Sequence, residues 1–194
     1  MAELLLFHHI QGLTDGVVGF ADELRADGHT VHTPDLFSGR TFASIPEGFE
    51  FAKATGFDVL RQRGADAAAE LGPGLGGGLV HGGFSFGVTI AQELAQTTAG
   101  VRGALLLHSC LPVTEFGAAW PAGVPVQVHG MEGDEFFDED LPAARALAQA
   151  APEEAELFVY PGQAHLFTDA SLPEHAPAAA ALVPERIREF LARV

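Results

Sequence analysis

The sequence predicts an α/β fold: one domain over residues 1–194, with a mostly parallel central sheet flanked by helices on both faces. Short apolar runs alternate with segments of helical periodicity along the chain, which is the pattern of parallel strands joined by crossover helices. Apolar residues make up 47% of the 194 residues, enough for one sizeable core. No repeat and no long linker interrupts this pattern.

The first half of the chain begins with a strand and a capped helix. Continuous apolarity over 4–9 predicts a buried strand. Thr14 or Asp15 can cap the following helix, and Gly28 suits its C-terminal end, where a left-handed backbone is common. The next segments are predicted as a strand (29–37), a loop rich in Phe and Gly (37–57), a helix (58–71) and a strand (78–84).

The second half continues the alternation and ends in an amphipathic helix. A helix with a buried apolar stripe follows Ser85. Pro184 is expected to start or kink the last helix, because an interior proline removes a backbone hydrogen bond. The predicted segments are strands at 103–109, 124–130 and 155–162, a helix at 141–150, and a closing helix whose apolar face holds Ile187, Phe190, Leu191 and Val194.

Composition argues against several classes of partner. The formal net charge is −16 with only ten Lys and Arg, so a nucleic-acid partner is not expected. Residues 1–12 hold an apolar run too short to span a bilayer and no basic leader, so no membrane association is expected either. The single cysteine, Cys110, excludes an intramolecular disulfide and fits a reducing compartment, which predicts a cytoplasmic protein.

A glycine-rich segment at 71–78 has the glycine spacing of a dinucleotide-binding fingerprint, at Gly72, Gly74 and Gly77. That fingerprint follows a strand and opens a helix, whereas here a helix precedes the glycines and a strand follows them. The segment also lacks the Gly-Lys-Ser/Thr of a phosphate loop. We therefore interpret it as a helix-to-strand connection and expect no nucleotide cofactor.

The segment Gly-Phe-Ser-Phe-Gly at 83–87 stands between a predicted strand and a predicted helix. This arrangement is a nucleophile elbow, in which glycines on either side of the serine relieve backbone crowding and the hydroxyl is exposed. Ser85 would also lie at a helix N-terminus, whose free N–H groups stabilise developing negative charge. A plain turn with a capping serine remains the alternative on this motif alone.

Two later residues have the placement required of partners for Ser85. A serine hydroxyl needs a histidine to take its proton, and that histidine needs a carboxylate to orient it. Asp134 and His165 each follow a predicted strand, in the order serine, acid, histidine that is typical of this fold type. Glu132 and Asp138 are alternative acids, but they lie too close to the strand end or too far beyond it.

A tetrahedral intermediate also needs hydrogen-bond donors, and we expect these to be the amides of Phe86 and of Ile10 in the loop after the first strand. Cys110 lacks an elbow and is interpreted as a small buried hydrophobic residue. His8 and His9 are neighbours on a strand and point to opposite faces, so they cannot readily share one ion. No metal site is expected.

The sequence resembles the dienelactone hydrolase family of compact α/β-hydrolases. The resemblance rests on QGLTDGVVGFADELRADGHTVHTPDLFSGR, GGFSFG, VHGMEGD and YPGQAHLF, in this order over almost the whole chain. It implies an α/β-hydrolase fold with little or no cap domain, no cofactor, and hydrolysis of lactones or other carboxylic esters. It also implies a catalytic triad of Ser85, Asp134 and His165, in agreement with the assignment from the residues themselves.

Three positions depart from the pattern of that family. The elbow carries Ser85 where the namesake enzymes have cysteine, and His9 occupies the position of a glutamate that contacts the resting thiol. Asp169 stands near the place of an arginine that holds the substrate carboxylate, and an acid there would repel an anionic substrate. We therefore expect a less charged ester, with Arg40 and Arg61 as either replacement cations or solvated surface groups.

The expected function is that of a serine hydrolase cleaving a small-molecule ester or lactone through an acyl-enzyme. A thioesterase or peptidase with the same triad remains an alternative, as does a non-catalytic binding protein that kept the fold. The sequence does not indicate whether the protein is a monomer or a homo-oligomer. Loop position predicts seven residues at the substrate pocket: His9, Gln11, Phe37, His108, Ser109, Phe137 and Leu166.

Overall fold

The computed structural model describes residues 1–71 and 78–194, and its centre is a six-stranded parallel sheet. The strands are β1 Glu3–Phe7, β2 Thr30–His32, β3 Val80–Phe84, β4 Gly103–Leu107, β5 Val126–Glu132 and β6 Ala155–Pro161. They lie in the order β2-β1-β3-β4-β5-β6. The predicted parallel α/β architecture is confirmed. The glycines of the fingerprint-like segment, Gly72, Gly74 and Gly77, lie outside the described residues.

Helices cover both faces of this sheet. They are α1 Asp15–Ala26, α2 Ile45–Thr55, α3 Phe57–Leu71, α4 Phe86–Thr97, α5 Glu135–Ala150, α6 Pro177–Ala180 and α7 Leu182–Leu191. Alternate strand residues point to opposite faces: Leu4 and Leu6 pack with α1 and α7, whereas Leu5 and Phe7 pack with α2, α3 and α4. Leu106 belongs to a third cluster, against α4 and α5. The described residues form no separate cap domain.

The chain changes direction across the sheet after β2, and this change positions the site. Strand β2 lies on one side of β1 and β3 lies on the other. Correspondingly, α1 packs on one face and α4 on the opposite face. In open α/β sheets such a switch point leaves a crevice at the carboxyl ends of the two strands. Because Phe7 pairs with Gly83, the loop that starts at His8 lies beside the turn at Ser85.

The prediction of a loop at 37–57 is wrong over much of its length, because Ile45–Thr55 form α2. The Ser44 hydroxyl accepts the Glu47 N–H at 3.4 Å, and the Glu47 carboxylate accepts the Ala43 N–H at 3.2 Å. This pair of bonds is a variant of the capping box, in which the glutamate accepts the N–H of the residue before the N-cap Ser44. Its Ser-x-x-Glu spacing was the sequence signal for α2, and the high Phe and Gly content of the segment obscured it.

Two other elements differ in length from the prediction. Strand β2 covers three residues rather than 29–37, since Pro34 cannot donate to the ladder and the chain turns away. Helix α5 begins at Glu135 rather than at the start of 141–150, because the Asp134 side chain caps it. The proline inside α5 does not end the helix.

The ends of the first strand and of the last helix are also shifted. Strand β1 stops at Phe7, so His8 and His9 belong to the loop that follows it. Helix α7 begins at Leu182, which places Pro184 in the first turn, where its missing N–H removes no helical hydrogen bond. Across residues 1–71 and 78–194, every helix is too short or too polar to span a bilayer.

Candidate active site

Ser85 lies in a strained turn between β3 and α4. Its backbone has φ 47° and ψ −110°, a sparsely populated conformation that costs a non-glycine residue about 1–3 kcal/mol. The Ser85 N–H donates to the Leu107 carbonyl at 2.7 Å, and the Ser85 carbonyl accepts the Val88 N–H at 2.8 Å. These backbone bonds hold the turn and leave the hydroxyl free for another partner.

The two glycines of this turn are required by close backbone contacts. A Cβ atom on Gly83 would lie 2.3 Å from the carbonyl carbon of Gly87, and one on Gly87 would lie 2.4 Å from the carbonyl oxygen of Phe7. Real Cβ atoms do not approach a backbone so closely, so only glycine fits at either position. The glycines thereby allow β3, α4 and the end of β1 to meet at Ser85.

Two hydrogen bonds connect Ser85 through His165 to Asp134. The Ser85 hydroxyl donates to His165 Nε2 at 2.7 Å, and His165 Nδ1–H donates to Asp134 Oδ2 at 2.7 Å. The carboxylate selects the tautomer with the proton on Nδ1, so Nε2 is left as the acceptor. Asp134 is 1% exposed and His165 8% exposed. This chain can pass the hydroxyl proton of Ser85 to the imidazole.

Asp134 is positioned both by the turn after β5 and by the start of α5. Gly133 makes the turn with φ 81°. One oxygen of Asp134 accepts the N–H of the second residue of α5 at 3.1 Å, and the other binds His165. The alternative acids Glu132 and Asp138 are both exposed. The structure therefore brings Asp134, and neither alternative, to the imidazole.

Two backbone amides near Ser85 are available to bind an oxyanion. Phe86 is the first residue of α4, so its N–H has no acceptor within the helix. Ile10 lies in the turn after β1, where the Gly12 N–H donates to the His9 carbonyl at 3.0 Å. Within residues 1–71 and 78–194, the Ile10 N–H has no hydrogen-bond acceptor.

The unpredicted helix α2 packs against the loop that carries Ile10. A Cβ atom on Gly48 would lie 2.0 Å from the Ile10 carbonyl oxygen, so a helix glycine is what allows this contact. The Phe42 N–H donates to the Gln11 carbonyl at 2.9 Å, and the Gln11 side-chain amide donates back to the Phe42 carbonyl at 3.0 Å. The segment before α2 therefore fixes the backbone on which Ile10 sits.

A group of phenylalanine rings surrounds the residue after Ser85. The centroids of Phe37 and Phe51 are 5.0 Å apart, and Phe86 lies 6.2 Å from Phe37 and 6.0 Å from Phe57. Phe37 is fully buried, whereas Phe42, Phe51 and Phe57 are half-buried. The phenylalanine group, defined as Phe37, Phe42, Phe51, Phe57 and Phe86, gives the site a partly open apolar wall.

The two arginines considered as replacement cations differ in their surroundings. The guanidinium carbon of Arg40 lies 5.2 Å from the centroid of the Phe51 ring, at the edge of the phenylalanine group. Arg61 instead pairs with Asp58 one turn away on α3, where both side chains are exposed. Of the two, Arg40 is the one beside the candidate site.

Most of the seven residues predicted at the pocket lie inside the protein. Ser109 is half-buried and donates to Asp140 at 2.5 Å. Phe137 is fully buried in the core, whereas its neighbour Phe136 is 43% exposed, with its ring centroid 4.6 Å from that of His165. Phe136, rather than Phe137, presents aromatic surface beside the imidazole. The other five, His9, Gln11, Phe37, His108 and Leu166, are each at most 2% exposed.

His108 is a buried neighbour of His165. Its ring centroid lies 6.0 Å from that of His165, and its Nε2 is hydrogen-bonded to the Thr168 hydroxyl at 2.8 Å. Among the described residues, its Nδ1 has no partner. Burial first, and then the neighbouring His165, lower the pKa of His108 well below its ordinary value. His108 is therefore neutral and holds the segment just after His165.

A second buried histidine and carboxylate lie beside the Ile10 loop. His9 Nε2–H donates to Asp169 Oδ2 at 2.8 Å, and the Thr14 hydroxyl donates to the same oxygen at 2.5 Å. Burial acts to raise the pKa of the Asp169 carboxyl, but hydrogen bonds from His9, Ser171 and Thr14 outweigh it and hold this pKa below its usual range. The charge of Asp169 faces inward. Sequence reasoning did not anticipate that Asp169 and His9 are partners.

Cys110 and His8 have no place in the hydrogen-bonded chain at Ser85. Burial, with a smaller effect of Asp140, raises the pKa of the Cys110 thiol to about 12, so little thiolate forms near neutral pH. His8 Nε2 accepts the Leu36 N–H at 3.1 Å, and burial lowers the pKa of His8 to about 4. In the described part of the chain, no group of three or more His, Cys, Asp or Glu is arranged to hold a metal ion.

Comparison with known proteins identifies relatives over the full length of the fold. The profile of the dienelactone hydrolase family matches residues 3–194. Among solved structures, m3DLH has a TM-score of 0.78 at 20% identity, covering 100% of this chain and 86% of that one. The dienelactone hydrolase-like promiscuous phosphotriesterase P91 from metagenomic libraries has a TM-score of 0.71 at 19% identity, covering 100% and 86%. The dienelactone hydrolase from Anabaena variabilis has a TM-score of 0.65 at 17% identity, covering 100% and 86%.

At these identities the solved structures show the fold alone, which is that of the α/β-hydrolases. No protein of curated function matches the sequence. The profile match extends from the first strand to the last residue and is not confined to the turn at Ser85. Because it spans nearly the whole chain, this protein belongs to the dienelactone hydrolase family of α/β-fold hydrolases.

Proposed function

We propose that this protein hydrolyses carboxylic esters or lactones of small molecules through an acyl-enzyme formed on Ser85. The observation that carries the proposal is the hydrogen-bonded chain from the Ser85 hydroxyl through His165 to Asp134, with 2.7 Å at each step. A serine becomes a competent nucleophile when such a base and an orienting carboxylate support it. Membership of a hydrolase family supports the reaction class.

Acylation begins when Ser85 Oγ attacks the acyl carbon of the ester. The hydroxyl proton moves to His165 Nε2, and Asp134 stabilises the imidazolium that results. The negative charge on the former carbonyl oxygen is taken up by the N–H groups of Phe86 and Ile10. Collapse of this intermediate breaks the ester bond, and the leaving alcohol takes the proton from His165. In a lactone the alcohol stays attached to the acyl group.

Deacylation repeats these steps with water as the nucleophile. His165 Nε2 takes a proton from water as its oxygen attacks the acyl carbon, and the same two amides hold the oxyanion. When the bond to Ser85 Oγ breaks, His165 returns the proton to the serine. The acid product leaves, and the Ser85–His165–Asp134 chain is restored.

The surroundings of the site support an uncharged substrate. The net charge of −16 repels anions at long range, and the ionised Asp169 lies next to the Ile10 loop. The half-buried rings of the phenylalanine group and the exposed Phe136 offer apolar surface. We therefore expect a neutral ester with an apolar acyl or alcohol group to be the better substrate.

Thioester or peptide-bond hydrolysis with the same residues is the alternative, because selectivity depends on loop shape. A panel of p-nitrophenyl butyrate, a neutral lactone, an acyl-CoA and a short peptide amide separates these reactions. Because acyl-CoA is polyanionic, we expect it to be a poorer substrate than the neutral p-nitrophenyl butyrate. The similarity in fold to P91, described as a promiscuous phosphotriesterase, adds a neutral phosphotriester to the panel.

The remaining expectations from the sequence stay predictions. Composition predicts no nucleic-acid or membrane partner and a cytoplasmic location, the latter from the single cysteine, whereas the family resemblance implies a small-molecule substrate and no cofactor. Whether the protein is a monomer or a homo-oligomer is to be measured by light scattering.

The proposal is tested by ester hydrolysis with matched serine variants. Purified protein should hydrolyse p-nitrophenyl acetate and butyrate, and Ser85→Ala should lower kcat by about 10⁴-fold or more. Ser38→Ala removes an exposed hydroxyl that bonds to Arg63 and not to the Ser85–His165–Asp134 chain, and should leave kcat unchanged. Equal turnover by the wild type and Ser85→Ala would overturn the proposal.

A further inference from the structure

We propose that His9 and Asp169 are positioning residues that fasten the loop carrying the oxyanion donor Ile10 to the segment carrying His165. The proposal rests on the function proposed above and adds two residues to it. Neither side chain belongs to the Ser85–His165–Asp134 chain, and they are 160 positions apart in the sequence. Both are almost fully buried, with His9 1% and Asp169 3% exposed.

Four hydrogen bonds fix the orientation of the Asp169 carboxylate. Oδ2 accepts His9 Nε2–H at 2.8 Å and the Thr14 hydroxyl at 2.5 Å. Oδ1 accepts the Ser171 N–H at 2.8 Å and the Ser171 hydroxyl at 2.6 Å. A buried carboxylate is costly unless it is satisfied in this way, so the carboxylate has little freedom to turn.

The imidazole of His9 is held at both ends. The Gln11 N–H donates to His9 Nδ1 at 3.2 Å, so Nδ1 is the acceptor and the proton lies on Nε2, which faces Asp169. The Gly12 N–H donates to the carbonyl of the same histidine at 3.0 Å. These bonds enclose the turn in which the Ile10 amide sits, so the position of this amide depends on His9.

Asp169 is fastened in turn to the segment that carries His165. Its own N–H donates to the Leu166 carbonyl at 3.0 Å, which closes a turn beginning directly after His165. The backbone of Asp169 is therefore tied to the segment directly after His165, whose imidazole accepts the hydrogen bond from the Ser85 hydroxyl. One buried hydrogen bond, from His9 to Asp169, thus connects the proposed oxyanion donor with the proposed base.

The start of α1 completes the arrangement. A Cβ atom on Gly16 would lie 1.7 Å from Asp169 Oδ1, so a glycine there is what lets the carboxylate lie against the first turn of α1. The Gly16 N–H donates to the Ser171 hydroxyl at 3.2 Å. The partial positive charge of a helix N-terminus stabilises a carboxylate in this position.

The expected effect of removing the contact is on the transition state rather than on substrate binding. The oxyanion forms only after attack, so a displaced Ile10 amide or His165 lowers kcat and leaves KM nearly unchanged. Misplacement of a reacting group by about 1 Å can cost about 10²-fold in rate. We expect Asp169→Asn and His9→Leu each to lower kcat by about 10- to 100-fold.

The test compares these variants with a conservative replacement and a distant control. His9→Gln keeps an N–H donor close to the position of Nε2 and should recover much of the lost kcat. Asp27→Asn removes a surface ion pair with Arg188 and should match the wild type. For each variant we measure kcat and KM on p-nitrophenyl butyrate, the melting temperature, and the affinity of an alkyl boronic acid, which imitates the tetrahedral oxyanion.

The proposal predicts that boronic acid affinity and kcat fall together in Asp169→Asn and His9→Leu, with KM within about twofold of the wild type. If His9→Leu fails to fold, Asp169→Asn and His9→Gln decide the matter. Wild-type kcat in folded Asp169→Asn, or a rise in KM with kcat unchanged, overturns the positioning role while leaving the function of Ser85 intact. Failure of the function itself is seen separately, as hydrolysis by Ser85→Ala equal to that of the wild type.

Discussion

Asp134 divides its two carboxylate oxygens between α5 and His165. Oδ1 accepts the N–H of Phe136, at the start of α5, and Oδ2 accepts His165 Nδ1–H at 2.7 Å. The same side chain therefore begins a helix and orients the imidazole that faces Ser85. Since the helix holds Asp134 in place, the direction of the bond to His165 is set by the fold and not by a mobile loop.

Asp134→Asn separates these two roles. Asparagine is as good an N-cap as aspartate, so the melting temperature should change little. The amide can present an N–H to His165 Nδ1, which favours the wrong tautomer and withdraws support from the imidazolium, so kcat should fall by about 10³- to 10⁴-fold. Steady-state kinetics and thermal unfolding of the same preparation check both expectations.

Asp134→Ala is the matched comparison. It removes the cap as well as the acid, and should lower the free energy of unfolding by about 1 kcal/mol. A kcat for Asp134→Asn close to that of the wild type would be incompatible with the assigned role of this carboxylate.

The requirement for glycine at position 87 can be tested with Gly87→Ala and a matched alanine variant on α1. Gly87→Ala places a methyl group 2.4 Å from the Phe7 carbonyl oxygen, so the turn must shift, with a loss of about 1–3 kcal/mol and of esterase activity. Gly19→Ala adds the same methyl group on the exposed face of α1, where nothing lies within 4 Å. It should stabilise the protein by about 0.5–1 kcal/mol. Urea denaturation of both variants gives the comparison, and a Gly87→Ala protein of full stability and activity would contradict it.

The adjacent residues Phe136 and Phe137 should respond differently to truncation. Phe136→Ala removes an exposed ring that lies beside His165, so KM for apolar esters should rise while the melting temperature stays nearly constant. Phe137→Ala empties a fully buried position and should lower the free energy of unfolding by about 3–5 kcal/mol. If Phe136→Ala leaves KM unchanged across a series of acyl chain lengths, this ring does not contact the substrate.

Buried histidines should make the protein lose stability in mild acid. Burial lowers the pKa of His8 and of His81 to about 4, and that of His129 to about 3. Each titrates near pH 6.5 in an unfolded chain. Below that pH the unfolded chain binds protons that the folded protein does not, so the free energy of unfolding falls by about 1.4 kcal/mol per pH unit for each histidine.

This stability is complete above about pH 6.5 and is lost as the pH falls toward about 4. Urea unfolding at intervals between pH 7 and pH 5 measures the slope. His81→Gln removes one titrating group from the folded core and should reduce the slope by the contribution of one histidine, about 1.4 kcal/mol per pH unit. An unchanged slope in that variant would show that His81 is protonated equally in the two states.

The residues of the hydrogen-bonded chain could be predicted because each belongs to a local pattern. Ser85 lies in a five-residue motif between a strand and a helix, and the loops after parallel strands converge at one edge of the sheet. Asp134 and His165 each follow such a strand. Periodicity and chain order were therefore enough to place all three residues at one end of the fold.

Other features of the site depend on contacts that leave no periodic signal. The bond between His9 and Asp169 joins residues at opposite ends of the chain, and the sequence offered only two unexplained departures from a family pattern. Helix α2 was missed because the high Phe and Gly content of its segment suggested a loop, although the Ser-x-x-Glu spacing of its N-terminus was present. Phe137 was predicted at the pocket instead of the exposed Phe136, because position in a loop does not determine which of two neighbouring side chains at the start of a helix faces the imidazole.

The most direct test of the central claim is to locate the covalent intermediate. A fluorophosphonate probe reacts with an activated serine and stops at the phosphonylated enzyme, which intact-mass measurement and peptide mapping can follow. We predict one adduct per chain, on Ser85, and no adduct in Ser85→Ala or after unfolding in urea. An adduct on another residue, or ester hydrolysis by a protein whose Ser85 stays unlabelled, would contradict the account.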